Sequence, residues 1–232
     1  MDLEILLRDL IRPELHRIYT ERPSPRGGGD MGLFCREHAF HCMVLCQMLG
    51  HAADIKRGDL TFRLEDSTVY SSFGTDTDHA WCQVGDTVPV DLSANFEYYE
   101  SDAPNIDLVY GFGQRGSYTI IYTADIREYE RHIADRSALP RLYYLETESV
   151  EIATGDLLDD PHRFLIKPAR GGMAEIFGHD IFNAINLHLF DLANGTTKRL
   201  TTYKDSKSTV KTIGNRYRTA TAKVKALLGL TQ

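Results

Sequence analysis

Gly32-Leu33-Phe34-Cys35-Arg36-Glu37-His38-Ala39-Phe40 is followed, 44 residues after its cysteine, by Asp78-His79-Ala80-Trp81, and then by Val90-Asp91-Leu92. The first stretch opens a run that is apolar nearly all round (Phe34, Ala39, Phe40, Met43, Val44, Leu45, Met48, Leu49) and stops at Gly50. That pattern predicts a centrally buried helix from about Leu33 to Leu49. The other two stretches fall within short alternating runs at 79–84 and 87–92, which read as strands. A thiol, an imidazole and a carboxylate therefore appear in order on a helix and two strands. A cysteine in the first turn of a helix meets the positive end of the dipole and unpaired amide donors, both of which favour thiolate. A histidine could take its proton and a carboxylate could orient the histidine, so Cys35, His79 and Asp91 are candidates for nucleophile, base and orienter.

Strand parity tests whether His79 and Asp91 can meet. A two-residue loop at Gly85-Asp86 would pair Ala80 with Asp91 and send the two side chains to opposite faces. A three-residue loop of Val84, Gly85 and Asp86 pairs Gln83 with Thr87, Trp81 with Pro89 and His79 with Asp91, so an odd-length loop or an equivalent bulge is expected. The same alternation sets Trp81 beside the site, as a candidate substrate contact, and turns Cys82 away from it.

Further out, residues 2–19 repeat apolar positions at helical spacing around Pro13, which predicts a kinked amphipathic helix. Pro23, Pro25 and Gly27–Gly29 form a connector. Strands are expected also at 60–64 and 68–73, then an aromatic-rich stretch from Phe96 to Tyr122 and a polar helix from Asp125 to Ser137. Beyond Pro140 come strands at 142–145 and 164–167, a helix from Met173 to Leu192 and a basic helix from Ser208 to Leu228. The order, helix first and sheet second, predicts an α+β fold, with a core over 1–139 and an accessory α/β segment over 140–232.

Gly-x-x-Cys on a helix, then His-Ala-Trp, then an Asp after a short strand resembles the transglutaminase-like superfamily of papain-fold cysteine enzymes, over about residues 26–100. The resemblance implies a papain-like core, a buried Cys-bearing helix packed on an antiparallel sheet, and a Cys35-His79-Asp91 triad for acyl transfer, amide hydrolysis or deamidation on a protein or peptide. It implies no cofactor. No glutamine precedes Cys35, so the Cys35 backbone amide is the one oxyanion donor that can be named. Arg26-Gly27-Gly28 is also similar to the Arg-Gly-Gly-x-Cys signature of arylamine N-acetyltransferases, though six residues rather than one separate its glycines from Cys35. An acyl-CoA-dependent transferase, and an inert binding module on the same fold, stand as alternatives.

Composition frames these expectations. The 232 residues are 42% hydrophobic and 25% charged, the balance of a globular protein. Four cysteines, at 35, 42, 46 and 82, are too few to staple the chain, and a reduced cytoplasmic state is expected. No apolar run approaches the ~20 residues that cross a bilayer, so no membrane partner is expected. Cys42 and Cys46 share a helix face with Cys35 and read as core rather than as a metal site. The net charge is -7, yet residues 196–232 carry nine Lys or Arg against the single acid Asp205, a local +8. Without a reader motif, this charge fits a solvated helix face better than a nucleic-acid surface. Gly111-Phe112-Gly113-Gln114-Arg115-Gly116 fits a dinucleotide pattern, but the strand-like residues after it exclude that role. Asp159, Asp160 and His162 read as an acidic surface turn rather than a metal loop.

Overall fold

A computed structural model describes residues 2–20, 35–63, 68–74, 78–85, 89–93, 119–135, 141–149, 154–161, 173–199 and 206–231. The glycine connector, Leu33 and Phe34, most of the aromatic stretch, the Gly111–Gly116 motif, His162 and the strand expected at 164–167 lie outside them. The chain is a mixed α+β protein.

The first helical stretch comprises α1 (Leu3–Leu6), a π-helical turn over Leu7–Ile11, and α2 (Arg12–Thr20). The wide turn sits just ahead of Pro13, whose ring clashes with the carbonyl four residues back and whose nitrogen has no proton to give; this is the expected kink. Helix α3 (Cys35–Met48) buries all but two of its 14 residues, as its all-round apolar pattern predicts. It ends at Gly50, where φ of 86° lets the His51 N–H reach the Cys46 carbonyl at 2.9 Å.

One sheet follows, in strand order β4-β3-β1-β6-β5, with β2 also pairing β1. Its strands are β1 (Ala53–Arg63), β2 (Thr68–Ser71), β3 (His79–Val84), β4 (Pro89–Val90), β5 (Thr119–Thr123) and β6 (Arg141–Ser149). All pairings are antiparallel except β5 with β6. Strand β1 is longer than the expected 60–64 because Ala53–Asp59 belongs to it. Those residues hide from a pattern search because Lys56, Arg57 and Asp59 interrupt the apolar alternation, and each finds a polar partner: Glu146, Asp78 and Ser72 respectively.

The remaining elements are α4 (Ile126–Ala134), α5 (Thr154–Asp159), α6 (Met173–Ala193), α7 (Ser206–Arg216) and α8 (Ala220–Leu227). Helix α6 is kinked at Gly178, whose φ of 72° is left-handed. The expected single basic helix is broken at 217–219 into α7 and α8. Position 140, where composition suggested a boundary, immediately precedes β6, which lies between β1 and β5 in the same sheet. One core runs from Leu6 to Val224 and takes Leu142 and Tyr144 from β6, while Tyr143 and Leu145 join Tyr129 of α4 in a smaller cluster. The last third of the chain thus completes the sheet and core that carry the cysteine helix.

Buried polar groups fasten α3 in place. His41 is held down at about 3 by burial and is therefore neutral. Its Nδ1–H donates to Asn186 Oδ1 at 2.5 Å while Nε2 accepts from Tyr19 Oη at 2.7 Å, so α2, α3 and α6 share one relay. Asn186 in turn donates to Asn183 at 3.1 Å. The buried His188–Glu14 contact at 2.9 Å ties α6 to α2 a second time.

Gly58 pairs with His79 across β1 and β3, beside the bulge where β6 fits an extra residue opposite β1. A Cβ built there would lie 1.8 Å from the Leu145 carbonyl oxygen, so only glycine admits β6 this closely. Gly58→Ala should cost about 3 kcal/mol of stability, as overpacking against rigid backbone does. A urea midpoint within error of the wild type would refute this.

Candidate active site

Cys35 is the first residue of α3, where backbone N–H groups lack intrahelical acceptors and the dipole is positive. Its 8% exposure distinguishes it from Cys42, Cys46 and Cys82, all at 0%. His79 opens β3, and its Nε2 lies 2.5 Å from Asp91 Oδ2. An ionised carboxylate only accepts, so Nε2 carries the proton and donates, leaving Nδ1 as the ring nitrogen available to the Cys35 thiol. Burial opposes the charged ring, but the Asp91 carboxylate, its hydrogen bond and the Cys35 thiol outweigh it and push His79 up to about 10. Burial likewise opposes ionisation of Asp91, yet the His79 charge and the bonds from His79 and Ser93 bring its carboxyl down to about 2. The structure brings the three predicted residues together.

The strand register differs in detail from the expected one. Cys82 pairs with Val90 and Gln83 with Pro89, a displacement of two residues from the predicted pairing of Trp81 with Pro89. Side chains alternate with period two, so a shift of two leaves every residue on its expected face, and His79 and Asp91 still meet. The loop residues 86–88 lie outside the described part.

Two groups absent from the sequence-based set hold the carboxylate. Asp91 Oδ1 accepts from the Ser93 backbone N–H at 3.0 Å and from the Ser93 hydroxyl at 2.7 Å. Tyr144 Oη donates to Oδ2 at 3.1 Å, so each oxygen takes two bonds. Trp81 sits beside His79, ring centroids 6.3 Å apart and 22° between planes, and edge-on to Tyr144 at 5.1 Å. It has no exposed surface and packs against both rings, so here it is a wall for the imidazole rather than a surface offered to substrate. Its indole N–H has no hydrogen-bond partner among the described residues.

A second missed feature braces the pair from outside. Arg36, next to Cys35, donates to Asp78 Oδ1 at 2.5 Å, and Asp78 is next to His79. Arg57 on β1 donates from Nε to the other carboxylate oxygen at 2.7 Å and again from Nη2. Partial burial raises the Asp78 carboxyl, but the bonds from Arg57 and Arg36 prevail and lower it. Cys82, by contrast, is fully buried against the Cys42 and Cys46 thiols, and burial pushes it well above the ordinary thiol range. Among the described residues no group of three His, Cys, Asp or Glu is arranged to hold a metal ion, and no helix is long and apolar enough to cross a membrane.

The chain matches no protein-family model, no curated protein and no solved structure. The chemistry of the site must therefore be argued from its own geometry. A thiol at a helix start, an imidazole, and the buried carboxylate that bonds it while accepting from Ser93 and Tyr144 can together perform nucleophilic acyl chemistry.

Proposed function

We propose that this chain is a thiol-dependent acyl enzyme of the transglutaminase-like type, with a papain-like core formed by α3 against β3 and β1. The observation that carries the reading is the 2.5 Å His79–Asp91 bond on one side of an imidazole whose other side meets Cys35, the one cysteine that keeps any exposed surface. In this mechanism Cys35 attacks the carbonyl carbon of a protein or peptide amide as thiolate, its proton held on His79. The C–S bond forms, the carbonyl oxygen takes the charge beside the Cys35 backbone N–H, and collapse expels the amine with the proton from His79. Water or a second amine then attacks the thioester through the same ring, completing hydrolysis or transfer.

Alkylation by iodoacetamide between pH 5 and 9, read by peptide mass, tests this. Cys35 should react at least ten-fold faster than Cys82 at pH 6 to 7, and His79→Ala should abolish that advantage. Reaction no faster than at Cys82, or only after unfolding, would leave a non-catalytic binding protein.

A further inference from the structure

Away from the cysteine site, α6 and α7 enclose a cleft of about 460 Å³ lined by Asp180, Ile181, Lys211, Asn215, Tyr217 and Arg218, with Gly214 at its middle. Its size falls within the range of small-molecule sites, about 300–1,000 Å³. Lys211, Gly214, Asn215 and Arg218 recur at helical spacing along one stripe of α7 and the turn after it, so a cation stands at each end with Gly214 and Asn215 between them. Gly214 is where α7 approaches α6 most tightly: a Cβ there would come within 3.2 Å of Ile181 Cγ1. Ile181 and Tyr217 line the cleft beside this contact. Tyr217 is only 5% exposed and its hydroxyl is already committed to Asp191, so the edge with which it lines the cleft is apolar.

The rim is charged out of balance. Lys211 and Arg218 are exposed and make no ion pair among the described residues, whereas Lys225 pairs with Asp159 at 2.6 Å and Arg216 and Lys223 lie over the Tyr217 ring at 5.2 and 5.9 Å. The one carboxylate lining the cleft, Asp180, accepts the Thr221 hydroxyl at 2.7 Å. The site therefore presents two uncommitted cations and an amide above an apolar floor. We infer that this cleft binds a small organic anion: a ring or other apolar body seated on Ile181 and Tyr217, and an acidic head group held by Lys211 and Arg218. This inference stands independently of the cysteine chemistry.

The probe is 8-anilino-1-naphthalenesulfonate, whose aromatic body and single sulfonate match both halves of the site; N-phenyl-1-naphthylamine is its uncharged counterpart. Fluorescence titration should show saturable one-to-one binding of the sulfonate, weakened at least ten-fold by the double substitution Lys211→Glu with Arg218→Glu, and binding of the amine at least ten-fold weaker than that of the sulfonate. Both substituted residues are exposed and make no ion pair among the described residues, so the variant should keep the wild-type circular dichroism and melting temperature. Displacement of the probe by 1-naphthyl phosphate or by 1-naphthoate would support the site and identify the head group it prefers. Equal binding to the wild type and the double variant, equal affinity for the uncharged amine, or displacement by neither anion would overturn it.

Discussion

In Asp91→Asn, His79 should titrate at 6.5 or below instead of about 10, because the carboxylate that offsets burial of the ring is gone and burial is the largest single influence on it. The substitution keeps the shape and an oxygen for Ser93, so the fold should survive. By analogy with other triads, loss of a competent orienter costs roughly 10⁴ in turnover, since the imidazole is free to adopt the wrong tautomer. Cys35 alkylation at pH 6.5 should fall with it. The stability difference between wild type and variant has a defined pH shape. His79 is raised, so its contribution is fully present below 6.5 and is lost as pH rises through about 10. Asp91 is lowered, so its contribution is present above 3.8 and is lost as pH falls through about 2. The wild-type advantage should therefore be a plateau between about pH 4 and 6.5 that decays on both sides. An imidazole resonance still titrating above 8 in the variant, or an advantage that grows from pH 7 to 10, would defeat the assignment of Asp91 as orienter.

What could be read in advance followed the range of the forces involved. The α3 pattern is local: a stretch apolar nearly all round, which buries twelve of its 14 residues, can be seen without knowing the partner, and Gly50 marks the end. The triad was legible because each member sits in a short motif and because period-two alternation tests whether His79 and Asp91 share a face. The same alternation is blind to a slip of two, which is why the face was right and the exact pairing was not. Ser93, two residues from Asp91, could have been found from the tendency of Asp side chains to accept from the backbone two residues on. Tyr144 could not. It reaches Asp91 only because β6 pairs with β1 and places its even-numbered residues in the main core, a relation set by packing over more than fifty residues of chain. The first half of β1 failed for a related reason: a central strand with Lys56, Arg57 and Asp59 reads as surface until the partners that neutralise them are known. Arg36 and Asp78 were in plain view beside the candidate residues. Their importance lies in a contact between them, which neither local sequence reveals.

That contact leads to the second large effect. Asp78→Asn should slow Cys35 alkylation by about a hundred-fold while lowering overall stability only modestly, by roughly 1–2 kcal/mol, because the Asp78 side chain is a third exposed and water screens the bridges. Arg36 is covalently next to the nucleophile and Asp78 to the base, so their bridge fixes the distance between two groups that come from separate elements, α3 and β3. Arg57 holds the far side of the same carboxylate, so Asp78 is pinned between two guanidinium groups. Without its charge the two arginines repel each other, and the start of α3 is free to move relative to β3. A displacement of about 1 Å at a reacting centre costs on the order of 10² in rate. A merely structural role would lower stability without touching the site, so the deciding readouts are the alkylation rate and the His79 titration. In Asp78→Asn the titration midpoint should fall part of the way from about 10 because the Cys35 contact loosens while the Asp91 bond persists. Asp78→Glu, which restores the charge, should recover much of the rate, whereas Arg57→Lys should lower it because a lysine cannot reproduce donation from both Nε and Nη2. Wild-type alkylation in Asp78→Asn would show that α3 and β3 hold Cys35 against His79 without the brace, and that the two arginines serve only the packing of α3 on the sheet.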